Sequence, residues 1–135
     1  MDFTDILKPG LQAEISVTVT EENAASAWGS GALPVFATPA MIAYMEGAAH
    51  SSISYLLPEG WSSVGTEVNI KHLSATPLGL RVTAKAELLE IDGRALSFKV
   101  EAFDEAGKIG EGSHRRFLIE SEKFMSKTEG KLKNK

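Results

Sequence analysis

Residues 12–20 alternate between apolar and polar. Ile15, Val17 and Val19 share one side, and Glu14, Ser16 and Thr18 take the other. This is the period-two pattern of a half-buried strand. Residues 23–34 hold Asn23, Gly29, Gly31 and Pro34 and read as a loop, made flexible by its Ala and Ser content. At Thr38-Pro39 the period becomes helical. Threonine suits the N-cap, and proline suits the first helical position because the N–H it lacks would find no partner there. The pattern predicts a helix from Thr38 to about Leu57, stopped by Pro58-Glu59-Gly60. Met41, Ile42, Met45, Ala48, Ala49, Ile53, Leu56 and Leu57 cover much of its circumference, and between residues 39 and 58 only Glu46 carries a clear charge. A helix apolar nearly all round is a buried one. Its many small residues would let a sheet approach closely.

Beyond the helix the period is two throughout. In residues 63–73, Val64, Thr66, Val68, Ile70 and His72 fall on one face. In residues 80–91, Leu80, Val82, Ala84, Ala86 and Leu88 do so, and Asp92-Gly93 predicts a type I′ hairpin turn into residues 95–103. There Leu96, Phe98, Val100 and Ala102 align. A turn at Glu105-Ala106-Gly107 leads to a last strand over 108–121, and the polar, basic tail from Lys127 reads as frayed. The order is strand, long buried helix, four strands. One antiparallel sheet of about five strands wrapped round one central helix uses every element, an α+β arrangement, because the helix alone can cover the sheet's apolar face. Pattern alone leaves other strand orders open.

Composition narrows the function. At 135 residues the chain makes one domain, taken as 1–124 with a tail at 125–135. It has no cysteine, which removes disulfides, thiolate metal sites and a thiol nucleophile and fits a reducing compartment. A net charge of −4 argues against a nucleic-acid partner. The N-terminus lacks a signal-peptide pattern, and no stretch nears the roughly 20 apolar residues of a membrane span. The expectation is a cytoplasmic protein without a membrane or nucleic-acid partner. No metal spacing, phosphate-cradling glycine loop or Gly-x-Ser-x-Gly elbow is present, and no cofactor is expected.

A few residues could carry chemistry. Glu46, in the middle of a buried helix, is a candidate nucleophile or general base, or it sits on that helix's one solvated stripe. His72, on an inward strand face, is a candidate catalytic residue or a satisfied core histidine. Thr38 serves as a cap, and a carbonyl could be polarised at the same helix N-terminus. Thr38 and Glu46 are eight residues apart, about 12 Å along the axis and roughly 80° round it, so they cannot meet side by side. Gly65, beside Thr66 early in a strand, marks a bulge or close backbone approach to a ligand, or simply a kink. By alternation His114 and Arg116 share a face with Gly112 and Leu118. Arg116 could bind a ligand phosphate, though a surface ion pair is its more ordinary role. His50 lies one turn after Glu46.

Three segments together resemble the fluoroacetyl-CoA thioesterase-like branch of the hotdog superfamily. Pro34-Val35-Phe36-Ala37-Thr38-Pro39-Ala40-Met41-Ile42-Ala43-Tyr44-Met45-Glu46 is similar to the start of its central helix. The run from Gly65 to Gly79 is similar to its second strand and following turn, and Gly110-Glu111-Gly112-Ser113-His114-Arg115-Arg116 to its last strand. The resemblance implies a hotdog fold and a homodimer hydrolysing a small acyl-CoA thioester at the subunit interface. It implies that Thr38, Glu46 and His72 are catalytic, and that Gly65, Thr66, Phe36 and Arg116 contact substrate. The segment Gly29-Ser30-Gly31-Ala32-Leu33 departs from the family's phenylalanine lid, with Trp28 the nearest aromatic, so fluoroacetyl specificity is not implied. A non-catalytic acyl-CoA-binding dimer is the alternative.

Overall fold

The computed structural model describes residues 1–134. Each alternating run forms a strand: β1 (Gln12–Thr18), β2 (Trp61–His72), β3 (Arg81–Asp92), β4 (Ala95–Asp104) and β5 (Gly107–Glu120). The helices are a single turn, α1 (Ala25–Trp28), the long α2 (Thr38–Ser54) and α3 (Ser121–Glu129). The five strands form one sheet in the order β1-β3-β4-β5-β2, with every neighbouring pair antiparallel. β1 and β2 are therefore the two edges, and α2, which connects them, must cross the sheet face.

That crossing builds the core. Ala40, Met41, Met45, Ala48, Ala49, Ser52 and Ile53 are the buried residues of α2. They pack chiefly against β3 and β1. Val82, Ala84, Ala86 and Leu88 on β3 and Leu96, Phe98, Val100 and Ala102 on β4 supply the facing layer, as their alternation predicts. Burying each of Met41, Met45 and Ile53 contributes roughly 2 kcal/mol. The helix sits close enough that a Cβ on Gly47 would lie 2.9 Å from Ile15 Cδ1.

Several expectations need correction. The N-cap of α2 is Ala37, in extended conformation, and Thr38 is the first helical residue. The Thr38 hydroxyl makes no cap bond and pairs with His72 instead. At the other end α2 closes at Ser54, and i→i−3 bonds from Leu56 to Ile53 and from Leu57 to Ser54 carry the chain to Pro58. Tightening of this kind satisfies the last carbonyls. The β3–β4 loop is Gly93-Arg94, and only Gly93 has positive φ, which fits a type II′ rather than a type I′ turn. Within the segment read as a loop, α1 forms and ends at Gly29, whose left-handed φ of 67° closes it. The tail expected to fray is helical as far as Asn134, in α3 and a following 3-10 turn.

The correction that matters most for the site is in β2. Its register against β5 shifts between Gly65 and Glu67, with Thr66 the extra residue of a bulge. Before the bulge Ser63 and Gly65 face α2; after it Val68, Ile70 and His72 do, opposite His114, Gly112 and Gly110. Val64 and Thr66 therefore do not share a face with His72.

Candidate active site

Two polar groups lie along the seam between α2 and β2. At the start of α2, Thr38 Oγ1 lies 2.7 Å from His72 Nδ1. Pro39 and the preceding extended residues fix where α2 begins, and the end of β2 brings the imidazole to it. His72 Nε2 is buried with no hydrogen-bond partner among the described residues. Burial pushes the His72 pKa below the usual histidine value, and the nearby Ser74 backbone works in the opposite direction. The imidazole is thus held neutral, with one nitrogen engaged and one unspent. The pair opens on a cavity of about 390 Å3 whose lining includes Leu33, Val35 and Phe36. Phe36 is buried and stacks on Tyr44 at 6.2 Å.

Two turns further along α2, Glu46 faces the bulge. A Cβ on Gly65 would lie 2.7 Å from Glu46 Oε2, 3.2 Å from His114 Cε1 and 3.5 Å from Arg116 Nη1. The missing side chain is what lets these three groups converge. His114 is buried, and its Nδ1 lies 2.8 Å from the Glu67 carbonyl, which can only accept. The proton is therefore on Nδ1, leaving Nε2 to accept from Arg116 Nη1 at 3.2 Å. Burial lowers the His114 pKa, partly opposed by that Glu67 bond. Arg116 is not in the surface ion pair that is its ordinary role. It is 7% exposed, and its Nε and Nη2 donate to Ser63 Oγ at 2.8 Å and Ser63 O at 2.9 Å. Burial lowers its pKa as well, and the charge of Glu46 works in the opposite direction. Glu46, Gly65, Thr66 and His114 line a shallow groove of about 230 Å3. Thr66 Oγ1 donates to the Arg115 carbonyl at 3.2 Å, which pins the bulge to β5.

Within one chain the two groups stay apart. Gly65 and His72 are seven residues apart on β2, roughly 20 Å at about 3.3 Å per residue with one bulge. Larger grooves over Lys85 and Glu87 on the sheet, and beside Met125 in α3, contain none of these groups. His50 is exposed, and Trp28 donates its indole N–H to the Glu22 carbonyl at 2.8 Å and does not line the Thr38–His72 cavity.

A neutral histidine paired with a hydroxyl at a helix N-terminus, and a carboxylate held beside a bare backbone position, are the components of acyl transfer. Residues 19–122 match the family model for fluoroacetyl-CoA-specific thioesterase. The chain belongs to that family. The protein is therefore a thioesterase. The fluoroacetyl-CoA thioesterase of Streptantibioticus cattleyicolor is 43% identical over 97 residues, covering 72% of this chain and 70% of that one. A point variant of fluoroacetyl-CoA-specific thioesterase crystallised with fluoroacetate and CoA superposes with a TM-score of 0.82 at 35% identity, over 87% of this chain and 99% of that one. A hot-dog-like protein from Thermanaerovibrio acidaminovorans shares the fold, with a TM-score of 0.88 at 23% identity over 97% of each chain. The α+β hotdog expected from the sequence is thus the observed fold.

For this thioesterase, the sequence-predicted residues sort into the two groups described: Thr38, His72 and Phe36 in one, Glu46, Gly65, Thr66 and Arg116 in the other. His114 had not been singled out for the site. Its signal was present, since alternation put it on the face of Leu118, an apolar residue that must point inward. No helix among the described residues is long and apolar enough to cross a membrane.

Proposed function

We propose that the protein hydrolyses the thioester of a small acyl-CoA as a homodimer, with each site assembled from two chains. The observation that carries this reading is the Thr38–His72 pair, whose Nε2 is buried without a partner in a cavity that Glu46 of the same chain does not reach. Buried polar atoms are rarely left unpaired, so such an atom calls for a group from outside the chain.

The edge strand supports the same conclusion. β2 carries an unpaired edge, and Val68 at its middle is 45% exposed although it points to the helix side. Open edges of this kind are pairing surfaces. In a twofold-symmetric dimer, antiparallel pairing of two β2 strands about the Val68–Asn69 peptide sets Gly65 opposite the partner's His72. Glu46 of one copy then faces the partner's Thr38 and the partner's His72.

In that site the thioester carbonyl lies at the N-terminus of α2, where the Thr38 hydroxyl and the helix dipole stabilise the developing oxyanion. Glu46 either removes a proton from the water that attacks the carbonyl carbon, or attacks it directly to form an acyl–glutamyl anhydride that water then hydrolyses, restoring the Glu46 carboxylate. The C–S bond breaks, CoA leaves as the thiol, and the acid is released. His72 orients Thr38 and handles the proton, while Arg116 and His114 fix the surroundings of Glu46. Absence of cysteine fits a cytoplasmic setting.

Thiol release from a panel of acyl-CoAs tests the activity, and it should disappear in Glu46→Ala and in His72→Ala. Mixing those two inactive variants tests the shared site. Half of the dimers become heterodimers with one intact site each, so activity should return to about one quarter of wild type. No recovery after verified subunit exchange would place both residues in a site of one chain. A purely monomeric solution state by light scattering would contradict the dimer.

A further inference from the structure

The cavity at Thr38 and His72 is larger than a two-carbon acyl group needs. An acetyl group displaces on the order of two waters, roughly 60 Å3. The cavity holds about 390 Å3. Its walls are apolar or small, with Leu33, Val35, Phe36 and Leu73 around Gly31 and Ala32. Two serines and the Thr38–His72 pair supply its polar groups, and among the described residues no Asp, Glu, Lys or Arg lines it. Such a wall rewards burial of methylenes and offers nothing to a carboxylate, which would lose its hydration without a counter-charge. Phe36 is held in the core by its stacking on Tyr44 and cannot swing across to fill the space.

We infer that this site selects an uncharged, apolar acyl group of about four to eight carbons, which at roughly one water volume per carbon takes about 120 to 240 Å3 and fits within the open-mouthed cavity of about 390 Å3. The inference rests on the thioesterase reading of the same residues. Substrates with a terminal carboxylate, such as succinyl-CoA, are disfavoured, because this chain's lining supplies no counter-charge and the group a second copy would bring, Glu46, is itself an anion.

The test is kcat/KM by thiol release for the intact protein with acetyl-, butyryl-, hexanoyl-, phenylacetyl- and succinyl-CoA. A fully buried methylene is worth about fourfold, and the open mouth reduces this to about twofold. Hexanoyl-CoA should therefore exceed acetyl-CoA by at least about tenfold, and succinyl-CoA should fall on the order of a hundredfold below butyryl-CoA. A second arm narrows the cavity. Gly31 does not sit at positive φ, and a Cβ there meets only Ala25 Cβ, at 3.5 Å, so Gly31→Phe is compatible with the backbone. It should lower the hexanoyl-to-acetyl ratio by about tenfold. Acetyl-CoA as the best substrate, or succinyl-CoA as good as butyryl-CoA, overturns the inference and leaves the thioesterase standing. An unchanged ratio in Gly31→Phe moves the acyl group out of this cavity and overturns it too. Release from fluoroacetyl-CoA but from none of the five overturns the inference alone, whereas no release from any of the six removes the hydrolytic reading of the site and the inference falls with it.

Discussion

Gly65→Ala adds one methyl group at the point where Glu46, His114 and Arg116 converge. The new Cβ would stand 2.7 Å from Glu46 Oε2, and ordinary contact begins at 3.4 Å, so the carboxylate must recede by about 0.7 Å (3.4 minus 2.7). His114 Cε1, at 3.2 Å, must give by a few tenths of an ångström. Glu46 is the far end of a flexible side chain, so it moves, and the backbone does not. The stability cost should be about 1 kcal/mol, the low end for overpacking. The catalytic cost is larger, because displacing a reacting group by about 1 Å costs roughly a hundredfold. The expected result is a melting temperature lowered by about 4 °C with kcat/KM down about a hundredfold. Gly112→Ala is the control. Its Cβ would overlap the Asn69 carbonyl oxygen and lie 2.9 Å from Ile70 Cα, both backbone atoms that cannot move away. That variant should lose its fold while Gly65→Ala keeps it. Gly65→Ala with at least half of wild-type kcat/KM would show that the Glu46 carboxylate does not work from beside Gly65.

Three further outcomes follow from the same geometry. Thr38→Val keeps the side-chain shape but removes the hydroxyl bonded to His72, and kcat should fall 10²- to 10³-fold, as for loss of one oxyanion donor; Thr38→Ser, which can re-form the bond, should recover most of it. Because burial lowers the His72 pKa from 6.5, the midpoint at which imidazole protonation lowers kcat/KM should lie on the acidic side of pH 6.5. The same sign applies to stability. The unfolded chain binds protons at His72 and His114 first as pH falls through 6.5, so the folded state loses stability below that pH and keeps it above, which melting curves from pH 5 to 8 should follow. Arg116→Lys replaces a planar fork that reaches Ser63 Oγ and Ser63 O together, and it should cost about 2 kcal/mol, read as a melting temperature lower by roughly 8 °C.

The fold was legible where one face of an element decides its burial. Leu96, Phe98, Val100 and Ala102 alternate without interruption and are all buried, and the nearly uncharged α2 is the helix that crosses the sheet, although it is buried on one side only, with Ala43, His50 and Ser51 exposed. What stayed hidden is what alternation cannot encode. Thr38 reads as a cap because threonine usually is one, yet its hydroxyl found a stronger use with a histidine 34 residues away, a contact that exists only once β2 is in place. Arg116 reads as a surface ion pair because arginines are seldom buried, and the Ser63 groups that satisfy it lie 53 residues away on the neighbouring strand. The bulge was foreshadowed by Gly65 in a strand interior, but nothing local distinguishes a bulge from a kink there. Of the site, the residue types were readable, and their division into two separated groups was not.

The bulge at Thr66 has a consequence for how this site can change. Seven is an odd number. In a regular strand Gly65 and His72 would have opposite parity, and one of them would have to point to solvent. A single inserted residue reverses the phase of everything after it, so both lie on the inner side. No substitution can make or undo that, because substitutions preserve parity. Only an insertion or deletion can. Removing Thr66 would leave every other side chain chemically intact and a straighter ladder, but it would turn either the glycine under Glu46 or the histidine beside Thr38 outward. The working arrangement is therefore separated from its neighbours in sequence space by a change in chain length, a step that point mutation cannot take.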